Sequence, residues 1–391
     1  MSTRRRMTIF LGLAGLSAVL LGACRTEEPP ATIDFQPGRF TSSERCGTCH
    51  RDIYSAWRGS RHAASVEGAI FKTSYQQALE ATSGQAKNIC PLCHAPTVVV
   101  SGDWDLTEPI TREGITCDFC HSLTGTDLSQ PGHPFLLDVS DVKRGPIRDA
   151  VSTGHRVLFS EFHLTSEQCA GCHEYRNAHG VELLTTYSEW KRYRERGGDK
   201  TCQQCHMPQV LANIVDPKVK RLQGAFVNLH FMPGGHSRDQ LVKSLSLRIA
   251  EVVRTSSGVR VKVTVSNVGA GHAVPTGSPT RKIILRLTVT GSEGTSAHAE
   301  RLYQRVVADE RGQEIIMDSH LFTHARMMVR DTRLQPGEQR TEEFFFPARS
   351  MENLTVTATL TYLYSPHARK ETETRIEFAS EKKELLARWM R

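Results

Sequence analysis

Cys46-Gly47-Thr48-Cys49-His50 opens a stretch that closes at Cys202-Gln203-Gln204-Cys205-His206 and decides how the chain is read. Between them stand Cys90-Pro91-Leu92-Cys93-His94, Cys117-Asp118-Phe119-Cys120-His121 and Cys169-Ala170-Gly171-Cys172-His173. Each is a C-x-x-C-H, the attachment spacing of covalent c-type haem. Thiols at i and i+3 share one face of a helical turn and can bond to the two vinyl groups of one porphyrin. The histidine at i+4 from the first cysteine lies on that face and reaches the iron as proximal ligand. One such string also fits half a zinc site, and two fit a zinc ribbon. Five copies take ten of the eleven cysteines and leave no odd thiol among them. Five haems c are therefore expected, with His50, His94, His121, His173 and His206 as the proximal ligands.

At 391 residues the chain has room for two domains or slightly more. Its ordinary composition, 23% charged and 39% hydrophobic, favours neither disorder nor a polytopic membrane protein. The formal charge of +7 includes Arg4, Arg5 and Arg6, which fall in a segment expected to be removed. Five haems would add about ten propionate charges, so net charge gives nucleic-acid binding no support. Arg4 to Arg6 followed by apolar Ile9 to Leu21 reads as an export signal over residues 1–23, with an apolar run too short to span a bilayer comfortably. Leu21-Gly22-Ala23-Cys24 resembles a bacterial lipobox, which implies lipidation of Cys24; an ordinary cleavage site is the alternative. The triple arginine also fits a twin-arginine signal, but thiols that must meet haem outside the cytoplasm should cross unfolded. Arg25 stands where an aspartate would retain the protein at the inner membrane, so the outer membrane is favoured. A periplasm-facing lipoprotein of the bacterial envelope is expected.

Residues 24–40 carry Pro29, Pro30 and Pro37 and read as a lipidated, extended tether. Residues 41–240 read as a pentahaem domain of helical fragments and loops. Thr41-Ser42-Ser43-Glu44 is a capping-box pattern, predicting one helix from there to about Gly59, with His50, Tyr54 and Trp57 on one face. No long amphipathic pattern follows. A segment with so little ordinary core needs a staple, and about one haem per forty residues would supply it. Beyond Gly235 the period changes to two. Leu245, Leu247 and Ile249, then Val259 to Val265, Leu285 to Val289 and Leu354 to Leu360 alternate with polar residues. Turn signals stand at Ser257-Gly258, Gly291 to Gly294 and Pro336-Gly337. Seven or eight half-buried strands predict an all-β sandwich over 241–379, immunoglobulin-like in architecture. Residues 380–391, centred on Glu381 to Met390, read as a terminal helix. The fold class is thus multidomain, a mostly helical and loop multihaem part followed by an all-β part.

Trp57-Arg58-Gly59-Ser60-Arg61-His62-Ala63 resembles the W-x-x-S-x-H-A string of multihaem c-type cytochromes. Gly154-His155 through His163 is similar to the stretch before a later haem in the same broad family. His230-Phe231-Met232-Pro233-Gly234-Gly235-His236 is similar to its H-x-F-x-G-G-H segment. Asn267 to Gly277 looks like the N-x-G-A-G-H-x-x-P-T-G loop of members whose haem domain is followed by a β domain. The resemblance covers about residues 41–365. It implies distal ligands among His62, His155, His163, His230, His236 and His272, with one of His163 and His236 dispensable. His133, His179, His298, His320, His324 and His367 read as surface or hydrogen-bonding residues, and Met232 and Met327 as core filler before axial thioethers.

An iron with a second histidine is suited to electron transfer, whereas an open position can bind and transform a substrate. The expectation is an electron carrier working with redox proteins or a quinol-linked donor, held to the membrane by its lipid and free of nucleic acid. The alternative is a reductase or oxidase of a small nitrogen or sulfur compound at one open haem. No C-x-x-C-K occurs, so the lysine-ligated haem typical of pentahaem nitrite reductases is missing.

Overall fold

The computed structural model describes residues 34–130, 132–220, 225–347 and 353–387. The export signal, Cys24 and the tether up to residue 33 lie outside them. Residues 33–391 form one compact unit, in which the haem-motif part and the strand part pack on each other. Among the described residues, no helix is long and apolar enough to cross a membrane.

The motif region is built from short helices: α1 Ser43–Gly47, α2 Arg51–Arg58, α3 Ala69–Ala81, α4 Pro91–His94, α5 Cys117–Ser122, α6 Glu167–His173, α7 Thr186–Glu195 and α8 Cys202–His206. Hydroxyl caps start several of the turns that carry cysteines. Ser42 accepts from the Arg45 amide, Thr116 from the Phe119 amide, and Thr201 with Gln204 forms a full capping box. The single helix expected from residue 43 to 59 is instead two, interrupted at Thr48 to His50. A Cβ at Gly47 would lie 2.5 Å from the Tyr54 ring, so glycine lets α2 fold back onto α1 at this break. Side-chain core is sparse here. Val66, Ala95 and Val98 form one small buried cluster, and Phe119, Leu123 and Phe135 another. The end of the expected tether is not free chain. The Gly38 amide donates to Val139 at 2.9 Å, Phe40 packs on Phe119, and Phe35 meets His155 edge-on.

After the linking helix α9 Arg238–Ser244 come eight strands: β1 Leu245–Arg254, β2 Gly258–Asn267, β3 Arg281–Gly291, β4 Ser296–Ala308, β5 Met327–Asp331, β6 Gln339–Pro347, β7 Leu354–Tyr364 and β8 Thr374–Leu385. They form two antiparallel sheets, ordered β6-β2-β1 and β5-β4-β3-β7-β8. The alternation seen in sequence becomes burial. Val259, Val261, Val263 and Val265 are all buried, and together with Leu285, Leu287, Val356 and Leu360 they make one core shared by both sheets. Each such side chain stabilises by about 1.5–3 kcal/mol relative to exposure. The expected terminal helix is wrong over its first residues: Glu381 to Leu385 complete β8, paired with Leu354 to Ala358 of β7. The Glu-Lys-Lys-Glu-Leu-Leu composition favours helix locally, but the open edge of β7 supplies a ladder that overrides propensity. Residues 388–391 lie outside the described residues. A short helix, α10 Asp318–His324, leaves the second sheet and packs on α3, tying the two parts together.

Candidate haem-ligating site

Histidine pairs organise the motif region. His50 and His155 have ring centroids 6.1 Å apart, His62 and His173 6.4 Å, His121 and His230 6.3 Å, and His206 and His272 6.2 Å. Imidazoles binding one metal from opposite sides at about 2 Å per nitrogen have centroids roughly 6 Å apart. In each pair one histidine ends a C-x-x-C-H motif and the other is a distal candidate from a distant stretch. His272 comes from the loop after β2, so the strand part contributes a ring to the haem region.

The ring nitrogens are sorted for this task. Nδ1 of His50 donates to the Ile214 carbonyl, of His121 to Arg144, of His206 to Pro233, of His155 to Arg156, of His230 to Asn228 and of His272 to Ala273, at 2.6 to 3.0 Å. A protonated, tethered Nδ1 leaves Nε2 as the unprotonated ligand atom and fixes the ring plane. Burial favours the neutral form of six of the paired rings. It pushes His62 and His230 down to about 4 and His173 to about 3, reinforced by neighbouring imidazoles, and it lowers His50, His121 and His272 as well. Neutral imidazole is the form a metal takes.

Two candidates stand apart. His163 lies 5.7 Å from His121, but its Nε2 donates to the Cys120 carbonyl at 3.0 Å, while its Nδ1 is buried without a partner. His236 meets Phe231 edge-on, and burial followed by the charges of Arg61 and Arg281 pushes it down to about 4. The fifth motif histidine also differs. His94 donates from Nδ1 to the Ser65 carbonyl at 3.1 Å, and the aromatic ring stacked on it, among the described residues, is Phe71 of α3, with centroids 4.3 Å apart. Nothing in the sequence marks Phe71, whose position follows only from where α3 packs.

The ten motif cysteines are free thiols, none spent on a disulfide. Motifs also touch one another. Cys46 neighbours Cys117, Cys93 neighbours Cys172, and Cys169 neighbours Cys202. Cys120 and Cys172 share one apolar cluster around Phe119 and Phe135. The fourth motif, on α6, thus borders the second, third and fifth. Hydrogen bonds fix these contacts: Ser43 Oγ accepts from the Cys117 amide, Ser166 Oγ from the Cys202 amide, and Gln203 donates to the Thr165 carbonyl. Buried cation atoms remain unpaired beside the pairs, Arg144 Nη1 and Arg281 Nε, and suit propionate oxygens. Among the described residues, no three His, Cys, Asp or Glu side chains converge as a metal-ion site, the arrangement structural zinc needs. Free paired thiols, spaced imidazoles and buried arginine nitrogens with a donor to spare together fit covalent haem.

Comparison with known proteins agrees with this chemistry. Residues 45–122 match the family model described as cytochrome c554 and c-prime. No curated protein matches the chain. Among solved structures, a penta-heme cytochrome c552 from Thermochromatium tepidum aligns with a TM-score of 0.71 and 25% identity, covering 90% of this chain and all of that one. The ApaA protein from Bordetella pertussis aligns with 35% of this chain and 90% of its own at 14% identity; its TM-score of 0.20 carries no argument. By its family-model match over residues 45–122 and by fold over 90% of its length, the chain is similar to multihaem c-type cytochromes.

Proposed function

We propose that the protein is an electron carrier of the bacterial envelope, with five haems c on the five cysteine pairs and histidine on both sides of four irons. The observation that carries this reading is the set of four imidazole pairs at 6.1–6.4 Å. The residues that would hold four of the irons are His50 with His155, His173 with His62, His121 with His230, and His206 with His272. On this reading no iron falls to His163, whose Nε2 donates to the Cys120 carbonyl, or to His236. Haem supplies reversible one-electron chemistry when bound. The chain's own residues would set its terms: backbone carbonyls orient six of the eight paired imidazoles, burial favours the neutral form of six, and the motif helices that would hold the haems are in contact. Cys24 carries the lipid, Arg25 directs the anchor to the outer membrane, and the partners are redox proteins or a quinol-linked donor. The strand part is an immunoglobulin-like sandwich; its β6-β2-β1 and β8-β7-β3-β4-β5 orders match the A-B-E and G-F-C-C′-C″ sheets of that architecture. Intact mass of the exported protein tests the cofactor load. Five covalent haems are expected, and zinc without haem would end the reading.

One observation favours the second reading, a reductase or oxidase of a small nitrogen or sulfur compound. His94 faces Phe71 where the other motif histidines face imidazoles. Electron paramagnetic resonance of the oxidised protein, with and without hydroxylamine and nitrite, separates the two. One high-spin haem in five that ignores both compounds keeps the carrier reading. A high-spin signal that responds to either, with turnover, replaces it.

A further inference from the structure

We propose that Glu189 is a positioning residue for His272, a buried carboxylate that holds a loop of the strand part so that its histidine stands opposite His206. The proposal rests on reading His206 and His272 as an axial pair. Glu189 lies on α7 in the haem-motif part, and its side chain is fully buried. A carboxylate so placed costs several kcal/mol unless its lone pairs are used. Here both oxygens are. Oε1 accepts from the Thr185 hydroxyl at 2.6 Å and from Arg333 Nη1 at 2.7 Å. Oε2 accepts from the Ala273 amide at 3.1 Å and the Thr276 hydroxyl at 2.9 Å. Ala273 directly follows His272, so one oxygen grips the backbone that carries the ring.

The other end of the grip is equally fixed. Arg333 meets Asp331 through two nitrogens, at 2.9 and 2.7 Å, and Arg305 lies 3.4 Å from the same carboxylate. On its strand-part side, the loop is held by Asn267, whose Nδ2 donates to the His272 carbonyl, and by reciprocal amide bonds between Val274 and Leu334. A Cβ at Gly271 would lie 3.0 Å from the Tyr193 ring of α7, so the loop approaches the helix closely before the histidine. Strand-part contacts alone fix the loop to the β sheets. Glu189 fixes it to helix α7, next to the fourth and fifth motifs, through two loop residues, and the Thr186 hydroxyl adds one bond to the Thr276 hydroxyl at 2.9 Å.

The test compares the full-length haem protein with four variants, by electron paramagnetic resonance and reductive titration. Glu189→Gln keeps shape but replaces one acceptor oxygen with a donor; loss of up to one quarter of the low-spin intensity, one of the four paired haems, is expected, restored by added imidazole. Thr276→Val, a gentler change, should do the same in part and covers the case where Glu189→Gln yields no haem protein. Asn177→Ala removes a buried bond from the motif part to Ala325 of the strand part without touching the loop, and should lower the melting temperature while keeping the low-spin count. High spin in Asn177→Ala as well would mean general loosening and overturn the proposal. His272→Ala separates the two levels. If it leaves all low-spin haem in place, the axial-pair reading fails. If it frees one iron while Glu189→Gln and Thr276→Val leave spin state and potential unchanged, the role of Glu189 alone fails.

Discussion

Two histidines crowd His121, and replacing each tells which one belongs to the iron. His230 presents a free Nε2 because its Nδ1–H is tied to Asn228 at 2.6 Å, and its ring centre is 6.3 Å from that of His121. His163 is nearer, at 5.7 Å, but spends Nε2–H on the Cys120 carbonyl. His230→Ala should therefore remove an axial ligand, converting one haem in five to high spin, with imidazole restoring the original spectrum. His163→Ala should leave the spectrum intact and act on stability alone. It deletes a ring only 5% exposed and one hydrogen bond to backbone. The bond contributes about 1 kcal/mol, and the cavity raises the total to roughly 2–4 kcal/mol. Low-temperature electron paramagnetic resonance reads the first quantity and thermal melts the second. Loss of a low-spin haem in His163→Ala, with His230→Ala spectrally silent, would refute the rule that the tethered nitrogen identifies the ligand.

Three further outcomes are expected. Cys24→Ser should release the protein from membranes with haem content unchanged; wild type already soluble after export would remove the anchor. Asp118 is a fully buried carboxylate that accepts from Lys143, from the Ser122 hydroxyl and from the Thr41 amide ahead of the first motif. Asp118→Asn should cost about 3–5 kcal/mol, because it strands the Lys143 charge, and denaturant titration measures it. For Glu189 and Asp331, burial raises the carboxyl pKa, but Arg333 outweighs it and holds both below the usual range. A depressed carboxyl contributes stability that is complete above its unfolded pKa and is lost as pH falls through the folded one. Melting temperature should therefore drop on the acid side of about pH 4, and Glu189→Gln should make that fall shallower.

The strands were legible because their pattern reports burial directly. Val259, Val261, Val263 and Val265 alternate in sequence and are buried in the core, and the Ser257-Gly258 turn sits where its residues place it. Residues 381–385 misled for the opposite reason. Their composition speaks for a helix, while the deciding fact, a free edge on β7, is tertiary. The first motif misled similarly, since Ser42 caps as expected but the packing of Tyr54 on Gly47 splits the helix. In the motif region, each C-x-x-C-H names its own candidate histidine because the pattern is local. A distal ligand depends on chain far away, so sequence offered a set of histidines and geometry grouped four of them.

The same geometry changes what the strand part is for. Read as a sequence, it is a separate domain whose loop carries a histidine. In the fold, its His272 faces His206, its Arg333 neutralises Glu189 of α7, and its Asn177-bound Ala325 and helix α10 pack against the motif region. A motif region with only small apolar clusters of its own gains from this neighbour both buried surface and a ring facing one of its motif histidines. Removing the strands would leave His206 without its partner and strip Glu189 of Arg333, Ala273 and Thr276, three of the four groups that use its lone pairs. The two parts are thus one folding unit, and the stability of the haem region is inseparable from the sheets that close it.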